Sequence, residues 1–386
     1  MKKRLLSAIL CGIIVFVSVF SVQVCAAEYS ALELDCVSAM LMEAKTGRVL
    51  YEKNADEALP PASVTKVMTL LLVMEAIERG VFGYDTMLTA SAHAASMGGS
   101  QIFLKEGERM SVEDLLKSVV ISSANDAAVV LAEAVAGSEG AFVESMNKRA
   151  RELGMKTAHF ENTNGLDDTV TNHVLSARDI ALMSRELIKH ERILKYSSTW
   201  MDTVRDGAFG LSNTNRLVRF YEGATGLKTG STAKAKFCIS ATAERDGMHL
   251  IAVIMASPTR DARNAAAAAL LDWGFANFSF YRYLGEALTP VLVTGGEKKS
   301  CEISHGDFFA LVKKGGDKSV EVRRELEGSI AAPISQGDKV GNMIFTLDGE
   351  ELGRVDITAS ESVERISFGT LFRQMLSAFF GCAKKL

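Results

Sequence analysis

The change of hydrophobic period along the chain is the feature that most restricts its fold. Residues 37–54, "VSAMLMEAKTGRVLYEKN", have the pattern of two short strands joined by a turn at 45–47. Apolar residues then recur at helical spacing between 63 and 189, and strand-like segments return from Gly226. Helices inserted between an N-terminal hairpin and a C-terminal meander predict an α+β fold, an antiparallel sheet covered by helices.

The individual elements follow from the same periodicity. Helices are predicted at 63–79, in two runs within 111–136, and at 140–153, 176–189 and 264–273. The meander strands are "GLKTGST", "KFCISATAE" and "MHLIAVIMA", with a turn at Arg245-Asp246-Gly247. From about residue 288, short strands with Gly-Asp and Gly-Gly turns replace helical spacing, which predicts a small β-rich domain at 288–362 after a domain at 28–287.

Both ends of the chain carry apolar segments. Residues 1–27 have a basic start, an apolar run and small residues at Ala26 and Ala27, which predicts a cleaved secretory signal peptide. A retained membrane helix is the alternative, because the apolar run is about long enough to span.

The C-terminal segment, 363–386, is predicted to be an amphipathic helix. Its apolar residues recur at three- and four-residue steps, opposite a polar face of Arg373, Gln374, Ser377, Lys384 and Lys385. The apolar stripe consists of Phe368, Leu371, Phe372, Met375, Leu376, Phe379, Phe380 and Ala383. An aromatic face opposed by basic residues fits a helix in a membrane interface, although docking on its own domain is the alternative. Together with the signal peptide, a C-terminal helix in the membrane interface predicts an exported protein at the outer face of the cytoplasmic membrane.

Composition excludes several function classes. The formal net charge is −4 and no basic block occurs, which argues against nucleic acid as a partner. Beyond the signal, Cys36, Cys238, Cys301 and Cys382 are scattered and favour single buried thiols, with one disulfide left open. No metal-ligand spacing occurs, so neither a metal nor a cofactor is expected.

Three short motifs occur in an order that suggests acyl-transfer chemistry. Ser63-Val-Thr-Lys66 opens a helix, Ser123-Ala-Asn125 lies between two apolar helical runs, and Lys228-Thr229-Gly230 lies on the first meander strand. This is the trio of β-lactamases and penicillin-binding proteins, with alanine in the middle of the second motif. Any one motif could be a helix cap, a turn or a solvated lysine, but order and context together make the trio specific.

Decoy matches are separated by their context. Lys45-Thr46-Gly47 occupies a predicted hairpin turn before any nucleophile, and Ser145-Met-Asn147-Lys148 lies within a predicted helix. Ser231 and Lys234 also have the Ser-x-x-Lys spacing, with Ser231 at the end of the first meander strand and Lys234 beyond it. The match at Ser145 has no strand or turn that would present a nucleophile.

Longer segments extend the likeness. "GRVLYEKNADEALPPASVTKVMT", "GGSQIFLKEGE", "SSANDAAVVLAE", "GATGLKTGST" and "LLDWGFANF" resemble the secreted D-alanyl-D-alanine carboxypeptidases, the low-molecular-mass penicillin-binding proteins. The resemblance runs from about residue 34 to the tail. It implies a β-lactamase/transpeptidase-like catalytic domain, the small β-rich domain and an amphipathic anchor. It also implies removal of the terminal D-alanine from peptidoglycan stem peptides ending in D-Ala-D-Ala, and covalent inhibition by β-lactams.

The resemblance assigns catalytic roles to the first two motifs. Ser63 is expected to attack the carbonyl, and Lys66, one turn later, to take its proton if burial and Lys228 keep the amine neutral. Ser123 would pass the proton to the leaving nitrogen, bridging the two lysines. Asn125 would orient Lys66 and bind the substrate amide.

The third motif is expected to bind substrate. Lys228 and Thr229 would hold the terminal carboxylate, and Gly230 would let the substrate lie close to the strand edge. The backbone N–H groups of Ser63 and Ser231 would form an oxyanion hole. Arg263, ten residues before Trp273, is a candidate for a family arginine near the carboxylate pocket.

Two departures from the family pattern affect substrate preference rather than the trio. Lys236 stands where the family often has glycine, and Thr214 stands where some members place an arginine.

Three other functions remain open on the sequence. A class A β-lactamase would need a glutamate for deacylation, and no E-x-x-L-N segment occurs between Asn125 and Lys228. A D,D-endopeptidase that cuts peptidoglycan crosslinks is chemically close. A catalytically silent penicillin-binding scaffold is the third, although all the trio side chains are present.

Overall fold

An antiparallel sheet of five strands lies at the centre of residues 35–277, which contain the three motifs and are called the catalytic region below. The computed structural model describes residues 32–168 and 170–382. The chain divides into two units, Met1–Leu34 and Asp35–Leu386, and the second contains every helix and strand of the described residues. The predicted signal peptide, residues 1–27, lies outside the described residues.

Nine strands belong to the catalytic region. In chain order they are β1 Ser38–Glu43, β2 Val49–Lys53, β3 Met87–Thr89, β4 Arg109–Ser111, β5 Met201–Val204, β6 Phe209–Ser212, β7 Ala224–Thr232, β8 Lys236–Arg245 and β9 Met248–Ser257. The central sheet has the order β2-β1-β9-β8-β7, and all its neighbouring strands are antiparallel. The α+β prediction is confirmed, and β7, which carries the third motif, is an edge strand.

Nine helices accompany these strands in the part of the chain that the structure describes before residue 278. They are α1 Lys66–Glu78, α2 Ala92–Ala95, α3 Val112–Ile121, α4 Asn125–Ala136, α5 Glu139–Glu152, α6 Ala177–Leu187, α7 Glu191–Ser197, α8 Leu217–Phe220 and α9 Arg260–Asn277. Serine and threonine side chains begin several of them. Ser111, Ser138, Ser176 and Thr259 each accept a backbone N–H of the first turn, the interaction that stabilises a helix start.

The sheet is covered on both faces. Met40 and Met42 of β1 belong to the large helical core. Leu41, between them, faces α9, because a Cβ on Gly274 of that helix would lie 2.8 Å from its Cδ2 atom. Alternate residues of a strand point to opposite faces, so the two layers of helices lie on opposite sides of the sheet.

A β-rich region follows the catalytic region. Its strands are β10 Phe278–Tyr283, β11 Ala287–Thr294, β12 Ser300–His305, β13 Phe308–Lys313, β14 Val320–Leu326, β15 Ser329–Ala331, β16 Lys339–Leu347 and β17 Glu350–Ala359. Six of them form one sheet, and β10 pairs with β13. Aromatic side chains fill its core, where the Phe308 and Phe345 rings stack at 3.9 Å.

The last helix, α10, spans Phe368–Cys382. Phe368, Phe372 and Met375 are 83%, 53% and 64% exposed, and Leu371 and Leu376 are also exposed. The predicted stripe continues to Phe379, Phe380 and Ala383, which lie outside the described side chains, as do Gln374, Lys384 and Lys385. Among the described residues, no helix is both long and apolar enough to cross a membrane.

Several elements are longer than predicted or are not predicted at all. The helix predicted at 264–273 extends over Arg260–Asn277, and a 3-10 turn at Ala62–Thr65 precedes α1. The paired strands β3 and β4, the β5–β6 hairpin and α7 are too short to produce a clear period. Cys36, Cys238 and Cys301 are free thiols.

Candidate active site

The nucleophile candidate lies in a short turn with an unusual backbone. Ser63 is half-buried within the 3-10 turn Ala62–Thr65, and Ala62 just before it has φ +48°. Lys66, the first residue of α1, is fully buried, and its Nζ donates to Ser63 Oγ at 2.9 Å. The structure therefore brings the predicted nucleophile and base into direct contact.

A loop that follows α5 supports this pair. The Lys66 Nζ also donates to the backbone oxygen of Asn164 at 2.9 Å. Gly165 has φ +81°, and a Cβ there would lie 1.9 Å from the oxygen of Ala62. Only glycine lets the loop approach the nucleophile turn this closely. This support was not predicted, because a backbone oxygen leaves no residue-type signal in a sequence.

A buried histidine contacts the same turn. The backbone N–H of Glu161 donates to Nδ1 of His173 at 3.1 Å, so the proton is assigned to Nε2, which donates to Thr65 Oγ1 at 2.8 Å. Burial lowers the pKa of His173 to about 4. The imidazole is therefore neutral at physiological pH and holds one orientation.

Electrostatics favour a neutral Lys66. Burial holds the pKa of its ammonium well below the usual range, and the charge of Lys228 lowers it further, while Asp126 opposes both. Burial, followed by the Arg263 guanidinium, lowers the pKa of Lys228 to about 7. A lysine amine without its proton can accept the proton of a serine hydroxyl.

The second motif lies opposite the nucleophile turn. Ser123, between α3 and α4, has φ +63°, and its Oγ accepts from Lys228 Nζ at 2.9 Å. Lys228 is 1% exposed and its Nζ also donates to the backbone oxygen of Thr229. The ammonium expected to hold the substrate carboxylate is therefore turned toward Ser123.

Asn125 forms no hydrogen bond with Lys66 among the described residues, so its predicted role of orienting that lysine stays a prediction. Its Nδ2 donates to the backbone oxygen of Gly98 at 2.6 Å, and Lys66 takes Ser63 and Asn164 as partners. Within residues 32–168 and 170–382, the buried Oδ1 of Asn125 has no hydrogen-bond partner. A buried amide oxygen without a partner can accept a donor from a substrate amide.

Gly230 lies against the nucleophile turn. A Cβ at this position would lie 2.9 Å from the backbone nitrogen of Ser63 and 2.7 Å from the oxygen of Pro61. The absent side chain thus lets β7 approach the nucleophile turn, and the room that it was expected to leave for substrate stays a prediction. The neighbouring Thr229 donates through Oγ1 to Thr214 Oγ1 at 2.7 Å.

These residues surround a polar cavity of about 190 Å³. It is lined by Ser63, Ser100, Ser123, Thr214, Thr229, Gly230, Ser231, Arg260 and Arg263. Arg263 is 3% exposed, and its guanidinium donates to Asn264 Oδ1 at 2.8 Å. Arg260, in contrast, is exposed and was missed in the sequence, because no motif includes it.

The decoy motifs lie elsewhere. Lys45-Thr46-Gly47 forms the β1–β2 turn, where Thr46 Oγ1 donates to Glu43. Ser145 and Lys148 lie inside α5, as predicted. Lys234 donates to the backbone oxygen of Asp167 from the β7–β8 turn. In the described part of the chain, only the first Ser-x-x-Lys pair combines a serine bonded to its lysine with contacts to the other motifs.

A serine bonded to a buried lysine, facing a second serine–lysine pair beside an edge strand, defines a serine acyl-transfer enzyme. Residues 25–259 match the family described as D-alanyl-D-alanine carboxypeptidase, and residues 284–365 match the C-terminal domain of penicillin-binding protein 5. The chain belongs to the D-alanyl-D-alanine carboxypeptidase family and is a serine hydrolase of that specificity.

Individual relatives agree with this assignment. The D-alanyl-D-alanine carboxypeptidase DacF of Bacillus subtilis is 40% identical over 384 residues, which cover 97% of this chain and 98% of the relative. Penicillin-binding protein 5 from Haemophilus influenzae superposes with a TM-score of 0.72 at 31% identity, covering 86% of this chain and 98% of that one. Penicillin-binding protein D2 from Listeria monocytogenes, in an ampicillin-bound form, has a TM-score of 0.58 at 33% identity, covering 63% and 99%.

Proposed function

We propose that Ser63 is the nucleophile and Lys66 the base of the D,D-carboxypeptidase reaction. The observation that carries this assignment is the 2.9 Å hydrogen bond between Ser63 Oγ and an ammonium that burial drives toward its neutral form. Ser63 Oγ attacks the carbonyl of the penultimate D-alanine, and its proton passes to Lys66. An ester to Ser63 forms, D-alanine leaves, and water hydrolyses the ester.

Ser123 completes the proton path in this proposal. Its hydroxyl, oriented by Lys228, passes the proton taken up by Lys66 to the leaving nitrogen. Protonation is needed because an amine anion is a very poor leaving group. Lys228 acts mainly through its charge, which lowers the pKa of Lys66.

The substrate backbone would add to the free edge of β7. This edge strand passes beside the nucleophile turn, so the N–H groups of Ser63 and Ser231 can face one substrate oxygen. The terminal carboxylate would then lie near Thr229 and the exposed Arg260, which both line the cavity.

Trapping the ester tests the assignment of the nucleophile. We propose that β-lactams acylate the same serine, as the ampicillin-bound relative suggests. Mass spectrometry of the protein treated with penicillin is expected to find the adduct on the peptide that contains Ser63, and none in Ser63→Ala. Labelling of Ser145 or Ser231 instead would contradict the assignment.

We further propose that the chain is exported and that α10 holds it at the outer face of the cytoplasmic membrane. The exposure of Phe368, Phe372 and Met375 supports this, since a large unpaired apolar face fits a membrane interface. Peripheral attachment fits better than spanning, given the length of α10.

Removal of the tail tests the anchor. Deletion of residues 366–386 is expected to shift the protein from the membrane to the soluble fraction without changing kcat/KM on a soluble peptide. A matched variant that changes Arg373 to glutamine keeps the apolar face and is expected to stay bound. Persistent membrane association of the truncated protein would contradict the proposal.

A further inference from the structure

The proposed reaction fixes the direction in which the stem peptide runs along β7. The leaving D-alanine must lie toward Ser123, which is bonded to Lys228 at the earlier part of the strand. The carbonyl carbon lies at Ser63 and Ser231. The residues that precede the scissile bond must therefore extend past Ser231, toward Thr232 and the β7–β8 turn.

The turn at this end of β7 carries Lys234, and Lys236 follows it as the first residue of β8. Strand β7 ends at Thr232, which pairs with Lys236 as the first residue of β8. Cross-strand partners share a face of the sheet, and alternate residues of β7 place Thr232 on the face of Lys228 and Gly230. A Cβ on Gly230 would touch the nucleophile turn, so this face is the one turned toward Ser63.

The two lysines differ in what they contact. Lys234 Nζ donates to the backbone oxygen of Asp167 at 3.2 Å, which joins the turn to the loop that also holds Lys66 through Asn164. Lys236 is exposed, and across the described ranges it forms no ion pair. Its ammonium is therefore an available cation at this end of β7.

Lys236 also occupies a backbone conformation that disfavours a side chain. Its φ is +57°, a left-handed conformation that costs a non-glycine residue on the order of 1–2 kcal/mol. Glycine would be unstrained there. The strain observed at Lys236 fits a position at which the side chain has a function.

We propose that Lys236 is a specificity residue that binds a free carboxylate on the stem residues preceding the scissile bond. This inference rests on the proposed function, which sets the direction of the peptide. Peptidoglycan stems offer two such groups, the carboxylate of a γ-linked D-glutamyl residue and that of a diaminopimelyl side chain. Charge complementarity favours the carboxylate form of either over its amide.

The test compares kcat/KM of the purified full chain on matched stem peptides that end in D-Ala-D-Ala. One pair differs only in D-isoglutamate against D-isoglutamine, with lysine as the third residue. A second pair keeps D-isoglutamine and differs in meso-diaminopimelate against its amide. We expect about three- to ten-fold higher kcat/KM for the carboxylate member of at least one pair, and the pair affected identifies the group.

Variants connect the preference to this side chain. Lys236→Met is expected to reduce the ratio of kcat/KM between the carboxylate and amide peptides to near one, while leaving kcat/KM on the amide peptides unchanged. Lys236→Arg keeps the positive charge and is expected to retain that ratio. Asp246→Gly is the control for backbone strain. It removes a similar left-handed conformation, φ +51°, just beyond the opposite end of β8, and is expected to keep the ratio of kcat/KM between the carboxylate and amide peptides. Equal rates for both members of both pairs, or a preference that survives Lys236→Met, would overturn the proposal. Hydrolysis of the amide peptides and penicillin labelling of Ser63 report separately on the proposed function.

Discussion

At the scale of single residues, the site combines buried charge with strained backbone. Ala62 precedes the nucleophile, and Ser123 carries the hydroxyl of the second motif. Both have left-handed backbone conformations, which cost non-glycine residues on the order of 1–3 kcal/mol. Lys66 and Lys228 are both essentially buried. Such features lower stability, and the surrounding core of α1, α4 and the sheet offsets them.

The first prediction concerns the charge around Lys66. The Asp126 carboxylate favours the protonated ammonium and so raises the pKa of Lys66, against the lowering by burial and Lys228. Replacing it by asparagine removes that negative charge, so the pKa of Lys66 falls further. The acid limb of the pH profile for acylation is expected to move to lower pH.

The measurement is the rate of penicillin acylation between pH 4 and 9. Asp114→Asn, in α3, serves as the control, because Asp114 does not contribute to the pKa of Lys66. A shift of the acid limb to higher pH in Asp126→Asn would contradict the electrostatic account of the base.

At the scale of elements, the loop 161–168 matters as much as the motifs. It donates no catalytic side chain, yet Asn164 accepts from Lys66 and Gly165 packs on the nucleophile turn. Its contacts join α1, the start of α5 and the β7–β8 turn. The loop therefore holds the base, Lys66, in position and ties together the elements around it.

Gly165→Ala tests this role. The new Cβ would lie 1.9 Å from the Ala62 oxygen, so the loop or the turn must move. We expect acylation to slow at least ten-fold, because small displacements of reacting groups have large effects on rate. Gly154→Ala is the control: its φ is +73° but nothing lies within 4 Å of the added Cβ. Both variants bear the same backbone strain, so equal acylation rates would show that the close approach is not needed.

The sequence predicts the helices and strands better than the contacts between them. Periodicity predicts β1, β2 and β7–β9, and motif order predicts that Ser63, Lys66, Ser123 and Lys228 meet. Neither signal predicts that the Asn125 amide takes Gly98 as its partner, or that Gly230 lies against the nucleophile turn. Asn164 and Arg260 were missed because one acts through its backbone and the other belongs to no motif.

At the scale of the whole molecule, the catalytic and β-rich regions touch through the β1–β2 turn. Arg48 Nη1 donates to the backbone oxygen of Leu311 at 2.9 Å, and Lys45 Nζ lies 4.0 Å from the centre of the Phe309 ring. The Lys-Thr-Gly decoy in this turn therefore has a structural use, a contact with β13. The active site lies on β7, at the far edge of the central sheet from β2.

The most direct measurement of the central claim is release of D-alanine from a diacetyl-L-Lys-D-Ala-D-Ala peptide by the purified protein. We predict steady release that penicillin blocks and that Ser63→Ala abolishes, while Ser145→Ala, which changes the decoy serine, has the wild-type rate. Release that persists in Ser63→Ala would contradict the claim that Ser63 carries the reaction.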